Sequence, residues 1–443
     1  MQNQGIRDAR SLGTPKMLVL GLQHMFAMFG ATVLVPALTG LSVSATLLFA
    51  GLGTLFFHFL TKGKVPAFLG SSFAYLAGYA AIAPNGETAL LPYACVGVAA
   101  SGLLYLILSA LVRGFGANRV MRFFPPVVTG PIIICIGMTL ANSAINNCTG
   151  SWDIALVAII TVVVFNIWGK GMLRIIPILL GVLVSYVYAA ITGRVDFSGV
   201  ASAAWIGLPV KMENTVFSLV GNCDMNLLVT AIIAIMPIAF ATMIEHIGDI
   251  CAISSTVGAN FIADPGLHRT LLGDGLATSI ASLFGAPANT TYGENTGVLA
   301  LTRVYDPLVI RLAAVYAIIA SFCPKFAALV SAMPTGTIGG VSLILYGMIS
   351  AIGVRNLVEN QVDLSKSRNV IVVSLIISLA LGITFSAAGA ITFHVGEFTL
   401  NFSGLAVAAI VGIVVNAILP GKDYDFQNNY KYGKTTEDHG QML

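Results

Sequence analysis

Two carboxylates four residues apart, Glu245 and Asp249, stand in an otherwise apolar run, MPIAFATMIEHIGDI. On a helix that spacing puts both on one face, a turn apart. His246 between them points about 100° round the helix. An unpaired carboxylate in apolar surroundings is costly to ionise, so Glu245 can take up a proton with a cargo and give it up afterwards. A structural charge paired with a neighbour is its other possible role, and Asp249 is equally placed for a solvated loop edge. A third carboxylate, Glu294, lies beside the amide Asn295 in PANTTYGENTGVLALTR at 287–303, a polar island in apolar sequence. Asp274, between Gly273 and Gly275, is set either to bond inside the protein or to cap a helix start. His24 follows Gln23 within an apolar segment, placed for a helix-to-helix hydrogen bond or to line a cavity. Ser71 and Ser72 sit in a second interrupted stretch, PAFLGSSFAYLAG at 66–78. Phe73 and Tyr346 by themselves read as core aromatics, and His58 and Lys325 as interfacial or snorkelling side chains.

The same inventory excludes much other chemistry. Glu245-His246 has the wrong order and spacing for a zinc-binding HExxH helix, and GSSFA at 70–74 is not a GxSxG nucleophile turn. No GxxxxGK[ST] loop is present to bind ATP. The six cysteines (95, 135, 148, 223, 251, 323) show no CxxC or ligand spacing and read as small apolar residues. Nothing calls for a cofactor or a metal; the co-reactant the carboxylates suggest is a proton.

These groups are held by a chain of 443 residues in which 57% are hydrophobic and 9% charged. Soluble domains carry roughly 25% charged residues, so a soluble fold of this length would lack the charge to cover its surface. The chain reads as an all-α polytopic membrane protein. The net charge of +3, with Lys and Arg scattered between apolar runs, gives no support to nucleic-acid binding. The first apolar segment is too long, and too polar at Gln23-His24, for a cleaved leader.

Apolar runs of about 20 residues predict spans near 17–37, 44–60, 66–81, 88–112, 124–145, 152–168, 173–192, 227–247, 270–285, 287–301, 307–332, 335–353, 369–390 and 403–419. The third and tenth are short and broken by Gly, Ser, Thr and Asn. With the N-terminus inside, most Lys and Arg fall on the cytoplasmic side, from Arg7, Arg10 and Lys16 to the tail residues Lys422, Lys431 and Lys434. Arg194, Lys211 and Lys325, with Glu87, Asp153, Glu213 and Glu397, fall on the other. Both termini are then cytoplasmic, as an even number of spans requires. Seven spans per half force the halves into opposite topology, with the polar connection at 194–226 as midpoint. Matching broken segments in two inverted halves point to a carrier's binding site at the midplane. Polar backbone at that depth survives only inside protein or beside a polar cavity.

In these motifs the chain resembles the nucleobase–ascorbate transporter family and, within it, the bacterial uracil permeases. The family signature is met by Glu294, Asn295, Gly297, Thr302 and Arg303, and VPAFLGSSFA, EHIGD, DPGLHR, TTYGEN and GGVSLILYG are similar to its other motifs. The resemblance implies fourteen spans in two inverted seven-helix repeats, with short antiparallel strands meeting in the third and tenth segments. It implies a cytoplasmic tail at 1–16, a core domain at 17–122 and 227–333, a gate domain at 123–226 and 334–420, and a cytoplasmic tail at 421–443. It implies a proton symporter of nucleobases in the bacterial cytoplasmic membrane, working by alternating access, commonly as a homodimer. Glu245 and Glu294 match carboxylates that hydrogen-bond the ring, and Phe73 and Gly293 match positions whose amides meet its carbonyls. Phe73 and Tyr292 match ring-lining positions, and Tyr346 a gate aromatic closing the pocket. Glu245, Asp249 and His246 match the proton relay, with Asn295, Ser71, Ser72, His24 and Asp274 around them. Glu at 294 resembles the uracil transporters, whereas Asp249 departs from their usual His and is more typical of purine transporters. Uracil is the expected substrate, with xanthine or hypoxanthine, or a passive channel, as the alternatives.

Overall fold

The computed structural model describes residues 5–221, 223–395 and 398–421. The start of the N-terminal tail (1–4), Glu397, and the C-terminal tail beyond Gly421 with Lys422, Lys431 and Lys434 lie outside the described residues.

The first half opens with α1 (Thr14–Thr39) and α2 (Val43–Leu60), then a short strand β1 (Leu69–Ser71) and a two-turn helix α3 (Leu76–Ile82). Helix α4 (Leu91–Phe115) leads through a single-turn linker α5 (Ala117–Met121) into α6 (Pro126–Cys148). Next come α7 (Trp152–Trp168), the single turn α8 (Met172–Ile175) and α9 (Pro177–Ile191). The midpoint connection carries one more short turn, α10 (Ser198–Ser202).

The second half repeats the pattern. Helices α11 (Met225–Ile235) and α12 (Ala239–Val257) form one broken column, then come α13 (Leu267–Leu283), β2 (Asn289–Thr291) and α14 (Gly293–Thr302). Pro237 lies at the break between α11 and α12, where it cannot donate a helical hydrogen bond. Then follow α15 (Pro307–Ser321), α16 (Pro324–Ser331), α17 (Thr335–Glu359), α18 (Ser367–Thr384), a hairpin of β3 (Ala390–Val395) and β4 (Phe398–Ser403), and α19 (Gly404–Ile418).

Among the described residues seven helical columns are long and apolar enough to cross a membrane, or eight if the bent α15–α16 pair is one span. Helices α7, α9 and α19 are apolar but shorter. The chain is therefore a multi-pass, mainly helical membrane protein. Two features differ from the sequence expectation. The span expected at 307–332 bends by 88° between α15 and α16, because Pro324 cannot extend the first helix. The midpoint connection docks into that bend: Gly207 N–H donates to Phe322 O at 3.0 Å and Lys325 N–H to Ala204 O at 3.0 Å. The Lys325 ammonium lies 5.0 Å over the exposed Trp205 ring, a cation–π contact. The second difference is the β3–β4 hairpin, which pairs Ala390 with Ser403 through to Val395 with Phe398 and packs against α11.

The helices pack in two groups. One joins α1, α2, α4, α11, α13 and α15; the other joins α6, α7, α9, α17, α18 and α19. Helices α6 and α17 approach through small residues, as helices in lipid do. A Cβ on Gly137 would lie 2.2 Å from Tyr346 O, and one on Gly353 2.7 Å from Gly130 O. Gly137→Leu is therefore expected to prise α6 from α17 and destabilise the protein by about 1–3 kcal/mol. Thermal unfolding in detergent checks this, and an unchanged melting temperature would contradict the close packing. On one face of the second group, Asp153 at the start of α7 pairs with Arg194 beyond α9. Cys95, Cys135 and Cys148 are buried, as small apolar residues should be, but Cys223 is exposed.

Candidate functional site

The two broken segments meet. Strands β1 and β2 pair antiparallel with Leu69 opposite Thr291, Gly70 opposite Thr290 and Ser71 opposite Asn289. Flanking bonds extend the ladder at both ends: Ser72 N–H donates to Ala288 O at 2.8 Å and Tyr292 N–H to Phe68 O at 3.0 Å. The pairing is buried throughout, so every backbone group not used in it needs a partner from elsewhere.

Each strand is held by a threonine from a neighbouring helix of its own half. Thr54 on α2 accepts from Leu69 N–H at 2.9 Å, and its hydroxyl lies 2.8 Å from Ala50 O and 3.2 Å from Leu69 O. Thr278 on α13 donates to Asn289 O at 2.8 Å. Asn289 in turn sends its amide to Phe49 O at 3.1 Å. His58, on the last turn of α2, is buried rather than interfacial, with Nε2 2.9 Å from Ala67 O ahead of β1. Sequence reasoning missed Thr54 and Thr278; the available signal is a lone Thr at comparable places in two apolar helices. Thr54→Val leaves the buried Leu69 N–H without its partner, a loss of about 1–3 kcal/mol. The expected result is a lower melting temperature in detergent; no change would remove Thr54 from this supporting role.

The side chains behind β2 form a second buried layer. His246 Nδ1 lies 2.9 Å from Thr291 Oγ1 and 3.3 Å from Asp274 Oδ2, and His246 and Asp274 are both fully buried. His246 thus faces the back of the strand. Asp274 lies inside α13, so the helix-capping alternative does not apply. Tyr292 donates to Ser71 O at 2.8 Å, and its ring covers Gly70, where a Cβ would lie 2.5 Å away. Ser71 Oγ donates to Thr32 O on α1 at 2.9 Å. Asn295 Nδ2 reaches His24 on α1, 3.2 Å from Nδ1 and from its carbonyl. His24 therefore joins α1 to α14.

In front of the strands lie the groups able to meet a ligand. Helix α14 starts at Gly293 and α3 at Leu76, and neither start has a side-chain cap. Among the described residues the Phe73 and Gly293 amides donate no hydrogen bond. The free Gly293 amide at the start of α14 and the free Phe73 amide, three residues ahead of α3, favour acceptor atoms such as carbonyl oxygens. Glu294 is in the first turn of α14. Asp249 Oδ1 lies 3.8 Å from where a Gly293 Cβ would be, so it faces α14 and not a solvated loop. Glu245, one turn earlier on α12, has a buried Oε2 without a partner. Ser72 Oγ, Thr290 Oγ1 and Tyr346 Oη are also buried without partners. Tyr346 comes from α17, in the other helix group, and its ring meets Phe73 edge-on with centroids 5.8 Å apart. Three carboxylates, two free amides and an aromatic pair around one crossing suit a small, flat, polar molecule. No cluster of metal-ligating side chains occurs among the described residues.

Comparison with known proteins adds to this geometry. A family model described as Permease family matches residues 15–389. The chain is 41% identical to the uracil permease of Bacillus caldolyticus over 445 residues, covering 98% of each. It is 39% identical to the uracil permease of Bacillus subtilis (strain 168), covering 99% of this chain and 98% of that one. The uracil permease of Escherichia coli (strain K12) is 38% identical over 90% of each. Among solved structures, the transmembrane domain of a cyanobacterium bicarbonate transporter, BicA, superposes with a TM-score of 0.64 at 14% identity, over 94% of this chain and 100% of that one. The anion transporter SLC26A9 gives 0.63 at 12% identity, over 90% of this chain and 64% of that one. These two likenesses concern the fold alone.

Proposed function

We propose, from the premise that this chain belongs to the Permease family, that it imports uracil across the bacterial cytoplasmic membrane in symport with a proton. It is a transporter, not an enzyme. The observation that carries the substrate reading is the set of unpartnered polar groups around the β1–β2 crossing, Glu245 Oε2 and the Phe73 and Gly293 amides foremost. Buried polar groups are otherwise hydrogen-bonded, so a ligand that satisfies them binds well. Uracil offers two N–H donors and two carbonyl acceptors in one plane. An ionised carboxylate only accepts, so Glu294 takes one ring N–H; Glu245, protonated as cargo binds, keeps its carbonyl oxygen for the other, and the amides meet the carbonyls. Phe73 and Tyr346 flank the ring.

The full architecture we propose has fourteen spans in two inverted halves, counting the β1–α3 and β2–α14 segments and the shorter helices. Helices α1–α4 and α11–α16 act as the core, and α6–α9 with α17–α19 as the gate. Core movement against the gate would carry the site from one face to the other, breaking the Phe73–Tyr346 contact on the way. Protonation of Glu245 when cargo binds, and its release inside, couples the two fluxes; Asp249 and Glu294 are within the same polar group, with His246 behind it against Thr291 and Asp274. The distribution of Lys and Arg supports both termini inside, and the protein would work as a homodimer.

Asp249 favours a second reading, a purine carrier for xanthine or hypoxanthine. Equilibrium binding of labelled uracil to the purified protein, with unlabelled purines as competitors, separates the two. Uracil should displace the label and xanthine should not; displacement by xanthine at equal concentration would overturn the uracil reading.

A further inference from the structure

A cavity whose lining includes no strand residue lies in the seam between the two helix groups. It has a volume of about 440 Å³, within the roughly 300–1,000 Å³ of small-molecule sites. Its wall along α4 runs from Leu104 through Leu108 to Leu111, about 10 Å of helix. Phe240 and Met243 of α12 and Ile413 of α19 close the other sides. The lining is apolar except for two side chains of the linker, Arg119 and Arg122. Both are exposed, and among the described residues neither has a hydrogen bond or ion pair; Arg122 only lies 5.2 Å over the Phe123 ring. The sequence contains no Asp or Glu between Glu87 and Asp153, so no acidic residue of this stretch balances them.

A hydrocarbon-lined cleft with two uncompensated guanidinium groups has the chemistry of one class of ligand. We propose that it binds an anionic phospholipid, with an acyl chain along α4 and the phosphate on Arg119 and Arg122. Guanidinium groups match phosphate oxygens with paired N–H donors, and basic pockets between membrane helices bind anionic headgroups. The cleft touches α12, which carries Glu245 and Asp249, and α19 of the other group. A lipid chain there fills the seam along which the two groups meet, so anionic lipid sets how readily they move against each other.

The test measures lipid retained by purified protein, which needs no transport substrate and so stands or falls apart from the uracil reading. Wild-type protein exchanged into detergent with equal phosphatidylcholine and phosphatidylglycerol should retain phosphatidylglycerol selectively. Each arginine contributes about fivefold to such binding, so Arg119→Gln with Arg122→Gln should weaken retention roughly 25-fold. Leu108→Trp, which fills the cleft and leaves the charges, should weaken it too. Glycerol phosphate, which has the headgroup chemistry without the chain, should not displace the lipid. Equal retention by the double glutamine variant, or loss of lipid to glycerol phosphate, would overturn the proposal.

Discussion

Glu294→Gln is expected to lower uracil uptake efficiency about a hundredfold, close to 3 kcal/mol of binding, while leaving the protein folded. The reason lies in what the side chain offers. Glutamate at the start of α14 presents acceptors only, and both N–H groups of uracil need acceptors. Glutamine keeps the size but replaces one acceptor with an NH₂ that meets the ring N–H as donor against donor. The β1–β2 pairing, the Asn295–His24 link and the Thr54 and Thr278 bonds do not involve the Glu294 side chain, so the fold has no reason to fail. Uptake kinetics together with an unfolding curve check both halves. Wild-type kinetics in the variant would remove Glu294 from the site.

The second large effect is on coupling. Glu245→Gln is neutral at every pH and cannot carry a proton, yet it nearly preserves the shape of the side chain on α12. Uracil accumulation against its gradient should therefore disappear, with the internal level stopping at the external one, while exchange of labelled for unlabelled uracil remains measurable. Vesicles with an imposed pH gradient read the first quantity and preloaded vesicles the second. Accumulation that persists in Glu245→Gln would assign the proton elsewhere. Asp249, facing Gly293 one turn along, is the first group to examine in that event.

Much of this site is legible in the sequence. The polar islands at 66–78 and 287–303 stand out because they break apolar spans, and their matched places in the two halves mark them as partners. Glu245, Asp249 and Glu294 stand out because charge is rare in such sequence. What is not legible depends on direction in space. His246 is adjacent to Glu245 in sequence but faces Thr291 and Asp274 behind the strand. Thr54 and Thr278 look like ordinary helix residues until the strands they hold are placed beside them. Tyr292 reads as a ring-lining aromatic, and nothing in the sequence shows that its hydroxyl also bonds Ser71 O across the strand pair. The bend before Pro324 and the β3–β4 hairpin have local signals, a proline within a long apolar run and alternating apolar and polar residues at 391–395 and 398–403. An expectation of uniform spans outweighs both.

The central claim is that one cargo and one proton move together through the site at the strand crossing. Uracil-driven proton movement into vesicles of purified protein, followed with an enclosed pH dye and no imposed gradient, tests it most directly. Added uracil should acidify the lumen, with xanthine silent and Glu245→Gln giving no signal. Uracil entry without acidification would contradict the account.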